Sequence, residues 1–106
     1  MASRRRLPDH PTGAQLRAAR GLLNLSVLQA SELTGLAVNT IKRAEAVNGF
    51  APITPANARL LVTLMSAAGV VFIPAADGLG SGVRLSTEDQ PVQMRRRRSQ
   101  GADQTL

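Results

Sequence analysis

Residues 35–45 read Gly-Leu-Ala-Val-Asn-Thr-Ile-Lys-Arg-Ala-Glu. Ile41 and Ala44 are three apart and can form one narrow apolar side of a helix, with Leu36 just before them. Asn39, Thr40, Lys42 and Arg43 supply hydrogen-bonding or cationic groups elsewhere on it, and Asn39 and Arg43, four apart, share a face. Such a segment is either an ordinary solvated helix or a surface shaped to enter something polar and anionic.

Other chemistries have little support in the chain. The 106 residues contain no cysteine, which excludes a disulfide framework and Cys-ligated zinc or iron–sulfur sites and fits a cytoplasmic location. His10 is the single histidine and lies between Asp9 and Pro11, without a second ligand nearby in sequence. The seven carboxylates are dispersed, and no residue resembles an activated nucleophile or an acid–base pair, so we expect neither an enzyme nor a cofactor. The glycine-rich run at 78–82 joins two strand-like segments and does not lead into a helix, as a phosphate cradle would. Two aromatic residues, Phe50 and Phe72, are too few for a base-stacking surface. No apolar run approaches the roughly 20 residues needed to span a membrane, and no secretory leader follows Arg4–Arg6.

The elements that must position residues 35–45 can be read from local signals. The polar, basic segment 1–11 reads as a flexible arm. Thr12 can cap a first helix carrying Ala14, Leu16, Ala19 and Leu23 at helical spacings. Ser26 can cap a second, with Ala30, Leu33 and Thr34 as its inward face. Gly35 suits the left-handed position after that helix. A third runs over 37–47, and Asn48-Gly49 and Pro52 mark a loop. Thr54-Pro55 opens a fourth helix, with Leu60, Leu61, Leu64, Met65 and Ala68 as a broad stripe. The period then changes. Residues 70–74 and 83–86 read as the strands of a hairpin over 70–86, and 87–106, which contain Arg95–Arg98, read as a disordered tail. The expected fold is mainly α: one domain over 12–86, four helices followed by a short β-hairpin.

Helices two and three with a glycine-containing turn between them match a helix-turn-helix, whose second helix enters the major groove of DNA. The charge agrees in sign. The chain carries +6 overall with a pI near 11.7, so an anionic partner is the first expectation. The excess is uneven. Residues 12–87 hold six cations against three carboxylates, and much of the remainder sits in Arg4–Arg6 and Arg95–Arg98. These runs are either solubilising or add sequence-blind phosphate attraction.

The stretch Ser-Val-Leu-Gln-Ala-Ser-Glu-Leu-Thr-Gly-Leu-Ala-Val-Asn-Thr-Ile-Lys-Arg-Ala-Glu (26–45) resembles the xenobiotic-response-element, or phage-repressor-type, helix-turn-helix regulators. The pattern is matched by Arg20, Leu25-Ser26, Gly35-Leu36-Ala37, Thr40-Ile41 and Glu45, and the segment 67–86 is similar to the β extension of some small bacterial members. The likeness covers 12–86. It implies base-edge contact by Val38, Asn39 and Arg43, phosphate contact by Ser26, Thr40 and Lys42, and a structural ion pair between Arg20 and Glu45. Asn reads adenine and Arg guanine in a bidentate way, and Val meets a thymine methyl. Three positions depart from the family pattern. Val27 stands where a phosphate-binding Gln is usual, Ala30-Ser31 are less apolar than expected, and Ala37 lacks the usual capping hydroxyl.

The expected function is therefore a sequence-specific transcriptional regulator of double-stranded DNA, a repressor by default, acting as a homodimer with the 70–86 hairpin as the candidate contact. The alternative is a protein-interaction module on the same scaffold, an anti-activator or antitoxin, motivated by the small or apolar groups at Val27, Ala37 and Val38.

Overall fold

The computed structural model describes Pro8 and residues 10–87; the runs Arg4–Arg6 and Arg95–Arg98 lie outside the described residues. The chain folds into four helices, α1 (Gly13–Leu22), α2 (Val27–Thr34), α3 (Val38–Glu45) and α4 (Pro55–Ala67), followed by strands β1 (Val70–Ile73) and β2 (Gly82–Leu85). The strands pair antiparallel, Val70 opposite Leu85 and Ile73 opposite Gly82. No described helix is long and apolar enough to cross a membrane.

Three of the four helices begin on a hydroxyl cap. Thr12, Ser26 and Thr54 each accept from the backbone N–H three residues on, satisfying a donor that the first turn leaves free. At Thr12 and Ser26 the third residue is Gln15 or Gln29, whose side chain returns to the cap's own N–H, completing a reciprocal capping box.

Leu16, Ala19, Ala30, Ile41, Ala44, Leu61, Val62, Met65, Val70 and Phe72 form a continuous core between the helices and the hairpin. Gln15 ties α1 to the loop end of the hairpin: its Nε2 donates to the carbonyls of Ile73 (3.3 Å) and Gly82 (3.1 Å), which face each other across the ladder. A hairpin alone is marginal in water, and this clasp together with the buried Val70 and Phe72 anchors it on the helices.

Several expectations need correction. On α2, Leu33 does not face inward: it is 36 % exposed, and the inner side is Val27, Ala30 and Thr34. Those three are spaced i, i+3, i+7, a true helical stripe that Leu33 falls outside. On α4 the residues missing from the expected stripe are Ala58 and Val62, both fully buried, while Leu60 and Leu64 are only half-buried. The third helix is shorter than 37–47 and ends at Glu45. The last part of the arm is docked. Pro11 is buried and accepts from Ala51 N–H at 3.1 Å, and His10 Nε2 donates to the Ala51 carbonyl with its ring edge-on to Phe50.

Candidate functional site

The α2–turn–α3 unit is fixed by its own side chains. Gly35 ends α2 with φ +79°, a left-handed conformation that a Cβ disfavours. Thr34 Oγ1 donates to the Ala30 carbonyl at 2.8 Å and accepts from Leu36 N–H at 3.2 Å. Ser31 Oγ donates to the Leu36 carbonyl at 2.6 Å. The polar Ser31, a departure from the family pattern, thus holds the turn from its other side. Leu36 packs on the core and aims the chain into α3.

α3 is anchored from behind. Ile41, Ala44 and Glu45 are buried. Arg20 on α1 grips the Glu45 carboxylate, donating from Nε to Oε2 at 2.9 Å and from Nη2 to Oε1 at 2.8 Å, while its Nη1 holds the Leu25 carbonyl at 2.9 Å. The hydrogen bond to Glu45 raises the Arg20 pKa above its ordinary value, opposed by burial and aided by the nearby negative charge. Arg17 donates to the Glu45 backbone carbonyl at 2.7 Å and to Asn48 Oδ1 at 2.9 Å. It thereby satisfies a carbonyl that the end of the helix leaves open, and marks where α3 stops. Gly13 packs directly under this end: a Cβ there would collide with the Val47 carbonyl oxygen and lie 2.6 Å from that of Ala44.

The outer side of α3 is free. Asn39, Lys42 and Arg43 are exposed, and no hydrogen bond or ion pair engages their side chains among the described residues. Val38 and Thr40 are half-buried at the flanks. Ser26 is exposed at the start of α2; its Oγ accepts from Gln29 N–H and keeps a proton to donate outward. Ala37 begins α3 in an extended conformation without a side-chain cap. Val27, in the position where a polar residue was expected, packs against the core.

The geometry therefore separates the candidate residues into two groups. Arg20 and Glu45 form an internal brace. Asn39, Lys42 and Arg43 form one exposed strip, with Val38 and Thr40 beside it. The bland account of Lys42 and Arg43 is that cations in the last turn favour the helix dipole by about 0.3–1 kcal/mol each. That account leaves Asn39 unexplained. Sequence reasoning missed Arg17, whose partners lie 28 and 31 residues away, and Gln29, whose role was legible in the Ser-x-x-Gln spacing. Comparison with protein-family models, curated proteins and solved structures finds no match to this chain. Among the described residues no group of three or more His, Asp or Glu side chains could hold a metal ion.

Proposed function

We propose that this chain is a helix-turn-helix regulator that binds duplex DNA by placing α3 in the major groove. The observation that carries the proposal is the contrast between the two sides of α3. Its inner side is locked by Ile41, Ala44 and the Arg20–Glu45 pair, while Asn39, Lys42 and Arg43 on the outer side are exposed and unengaged among the described residues. A reading helix needs that division, because base recognition depends on side chains held at fixed height and angle.

In this reading Arg43 donates to guanine O6 and N7, Asn39 pairs with adenine N6 and N7, and Val38 meets a thymine methyl. Lys42, Thr40 and Ser26 contact phosphate oxygens, which set the register but carry no sequence information. The six cations of residues 12–87 against three carboxylates, one of them engaged by Arg20, leave the domain positive enough to attract a polyanion. Occupying a promoter and excluding polymerase is the simplest output, and repression is the expected sign.

The test is fluorescence anisotropy with duplexes from the protein's own upstream region at two salt concentrations. Wild type should prefer one sequence, with affinity falling steeply as salt rises. Arg43→Ala should lose about 1–3 kcal/mol of that preference, and Lys42→Ala should weaken all duplexes alike and flatten the salt slope by about one phosphate's worth. Sequence-blind binding indifferent to Arg43→Ala would refute the reading.

A second reading, a module that binds a partner regulator or a toxin, is favoured by Leu28 and Leu33, which stand 60 % and 36 % exposed on α2. Association through these leucines would hardly respond to salt, so the same titration separates the two.

A further inference from the structure

The chain has four asparagines, Asn24, Asn39, Asn48 and Asn57, all among the described residues. Asparagine is a thermolabile side chain. It loses its amide when the backbone nitrogen of the next residue attacks Cγ, so the state of that nitrogen decides which asparagine reacts. At three of the four it is occupied. Leu25 N–H donates to the Arg20 carbonyl at 3.1 Å, Thr40 N–H to that of Ala37 at 3.0 Å and Ala58 N–H to that of Thr54 at 2.9 Å. Asn39 and Asn57 are further fixed inside α3 and α4. Gly49 N–H, which follows Asn48, has no hydrogen-bond partner among the described residues.

The surroundings favour the same position. Asn48 and Gly49 are both exposed, in the bend that follows α3. Gly49 has no side chain to shield its nitrogen. Asn48 Oδ1 accepts from Arg17 Nη2 at 2.9 Å. That oxygen gathers negative charge when a nucleophile adds to Cγ, and a cationic donor already in place stabilises it. Beyond the reacting nitrogen the loop is held: the Gly49 carbonyl accepts from Gly13 N–H at 2.8 Å, and Phe50 bridges to Thr12.

We propose that Asn48 is a self-modification site, which loses ammonia to attack by Gly49 and becomes aspartate or isoaspartate. Hydroxide takes the Gly49 N–H proton, the nitrogen bonds to Asn48 Cγ, and the side-chain NH2 leaves as ammonia with a proton from water. Water then opens the resulting cyclic imide. Cleavage between Cγ and the Gly49 nitrogen leaves aspartate. Cleavage at the Asn48 backbone carbonyl leaves isoaspartate, with the main chain running through Cγ and one atom longer. Hydroxide and water are the only co-reactants.

Either product lowers the net charge of +6 by one. Aspartate places a carboxylate against Arg17 and turns a hydrogen bond into an ion pair. Isoaspartate lengthens the chain between Glu45, whose carbonyl Arg17 holds at 2.7 Å, and Gly49, whose carbonyl Gly13 holds, and so loosens the end of α3 from α1. The reaction does not depend on what α3 binds, so it stands or falls apart from the DNA reading.

The test is incubation of the full chain at mildly alkaline pH, folded and in urea, for wild type and Gly49→Ala, followed by intact-mass measurement and peptide mapping. An added Cβ at Gly49 meets nothing within 4 Å, and its φ is not left-handed, so this variant should keep wild-type circular dichroism. Trypsin releases residues 44–59 as one peptide carrying both Asn48 and Asn57, and fragment ions compare the two sites within it without any variant. In the folded chain the mass gain of replacing NH2 by OH should fall almost wholly at position 48, divide between aspartate and isoaspartate, and grow with pH. Gly49→Ala should lose most of it. Position 48 should react no faster in urea than in the folded chain, because unfolding removes the Arg17 donor. An unchanged mass would overturn the proposal. So would a gain shared with Asn24, Asn39 or Asn57 in the folded chain, or a faster reaction at position 48 in urea, which would mean that the fold shields this site.

Discussion

Arg20 of α1 holds Glu45 at the last residue of α3 in a forked ion pair, with Nε and Nη2 both bonded to one carboxylate that is 8 % exposed. The two residues are 25 apart in sequence, and the pair sets how α3 leans on α1. A planar guanidinium can make this contact and still reach the Leu25 carbonyl with Nη1. The brace therefore also fixes the chain just before Ser26, where α2 begins.

Removing the carboxylate should be costly. Glu45→Ala leaves Arg20, 22 % exposed, without its counter-ion, and is expected to lower stability by about 3 kcal/mol, read by urea denaturation. Arg20→Lys should recover only part of the wild-type value, because an ammonium cannot bond both oxygens and Leu25 in this geometry. The sign of the pH dependence follows from the raised Arg20 pKa. Stability from a raised cationic pKa is fully present below the unfolded value and is lost only as pH rises through the folded one. For an arginine that window is strongly alkaline, so the Arg20 contribution should stay constant from neutral to mildly alkaline pH.

Two glycines in α1 should respond in opposite ways to alanine. At Gly13 a Cβ would press on the backbone carbonyls of Val47 and Ala44, which cannot move without shifting the end of α3 and the residues just after it, and Gly13→Ala should cost about 1–3 kcal/mol. At Gly21 nothing lies within 4 Å, and Gly21→Ala should stabilise by about 0.5–1 kcal/mol by relieving chain entropy and improving helix propensity. Thermal melts of the two variants would check both signs, and a lowered Tm for Gly21→Ala would contradict the packing described for α1.

Ser66 on α4 has a buried Oγ with no hydrogen-bond partner among the described residues. A hydroxyl in that state has lost water and gained nothing in return. Ser66→Ala is therefore expected to be neutral or to stabilise by up to about 1 kcal/mol. A loss larger than that on chemical denaturation would mean that the hydroxyl has a bonding partner.

What could be read from the sequence divides by distance along the chain. The caps at Thr12, Ser26 and Thr54, the left-handed Gly35 and the apolar pair Ile41 and Ala44 were legible, because each depends on neighbours within one turn. Gln15 was not, since its partners Ile73 and Gly82 lie 58 and 67 residues away. The same holds for Arg17, and for His10, which looks like part of a free arm until Ala51 is brought beside it. Leu33 failed for another reason. With so short a helix, hydrophobicity alone could not rank Leu33 against the half-buried Val27, and the stripe through Ala30 and Thr34 decided it. The strip Asn39–Lys42–Arg43 was legible as a face, and the Arg20–Glu45 pair was implied by the resemblance and is present; the strip's freedom from internal partners was not legible, because it depends on where every other described side chain packs.

The start of α3 offers a prediction that joins stability to function. Ala37 occupies the cap position in an extended conformation, φ −62° and ψ 147°, suited to a capping side chain but without one. Ala37→Ser would place a hydroxyl where it can accept from the Thr40 N–H, which already bonds the Ala37 carbonyl at 3.0 Å and would then be shared. The expected gain is about 1 kcal/mol, measured by thermal or urea unfolding. In the DNA reading the same hydroxyl sits at the N-terminal end of α3, the end that faces the duplex, and can donate to a phosphate. Ala37→Ser should then tighten binding to all duplexes equally while leaving the sequence preference set by Arg43 unchanged. If stability rises and binding to every duplex falls, the N-terminal end of α3 is not turned toward the phosphates and the proposed docking is wrong.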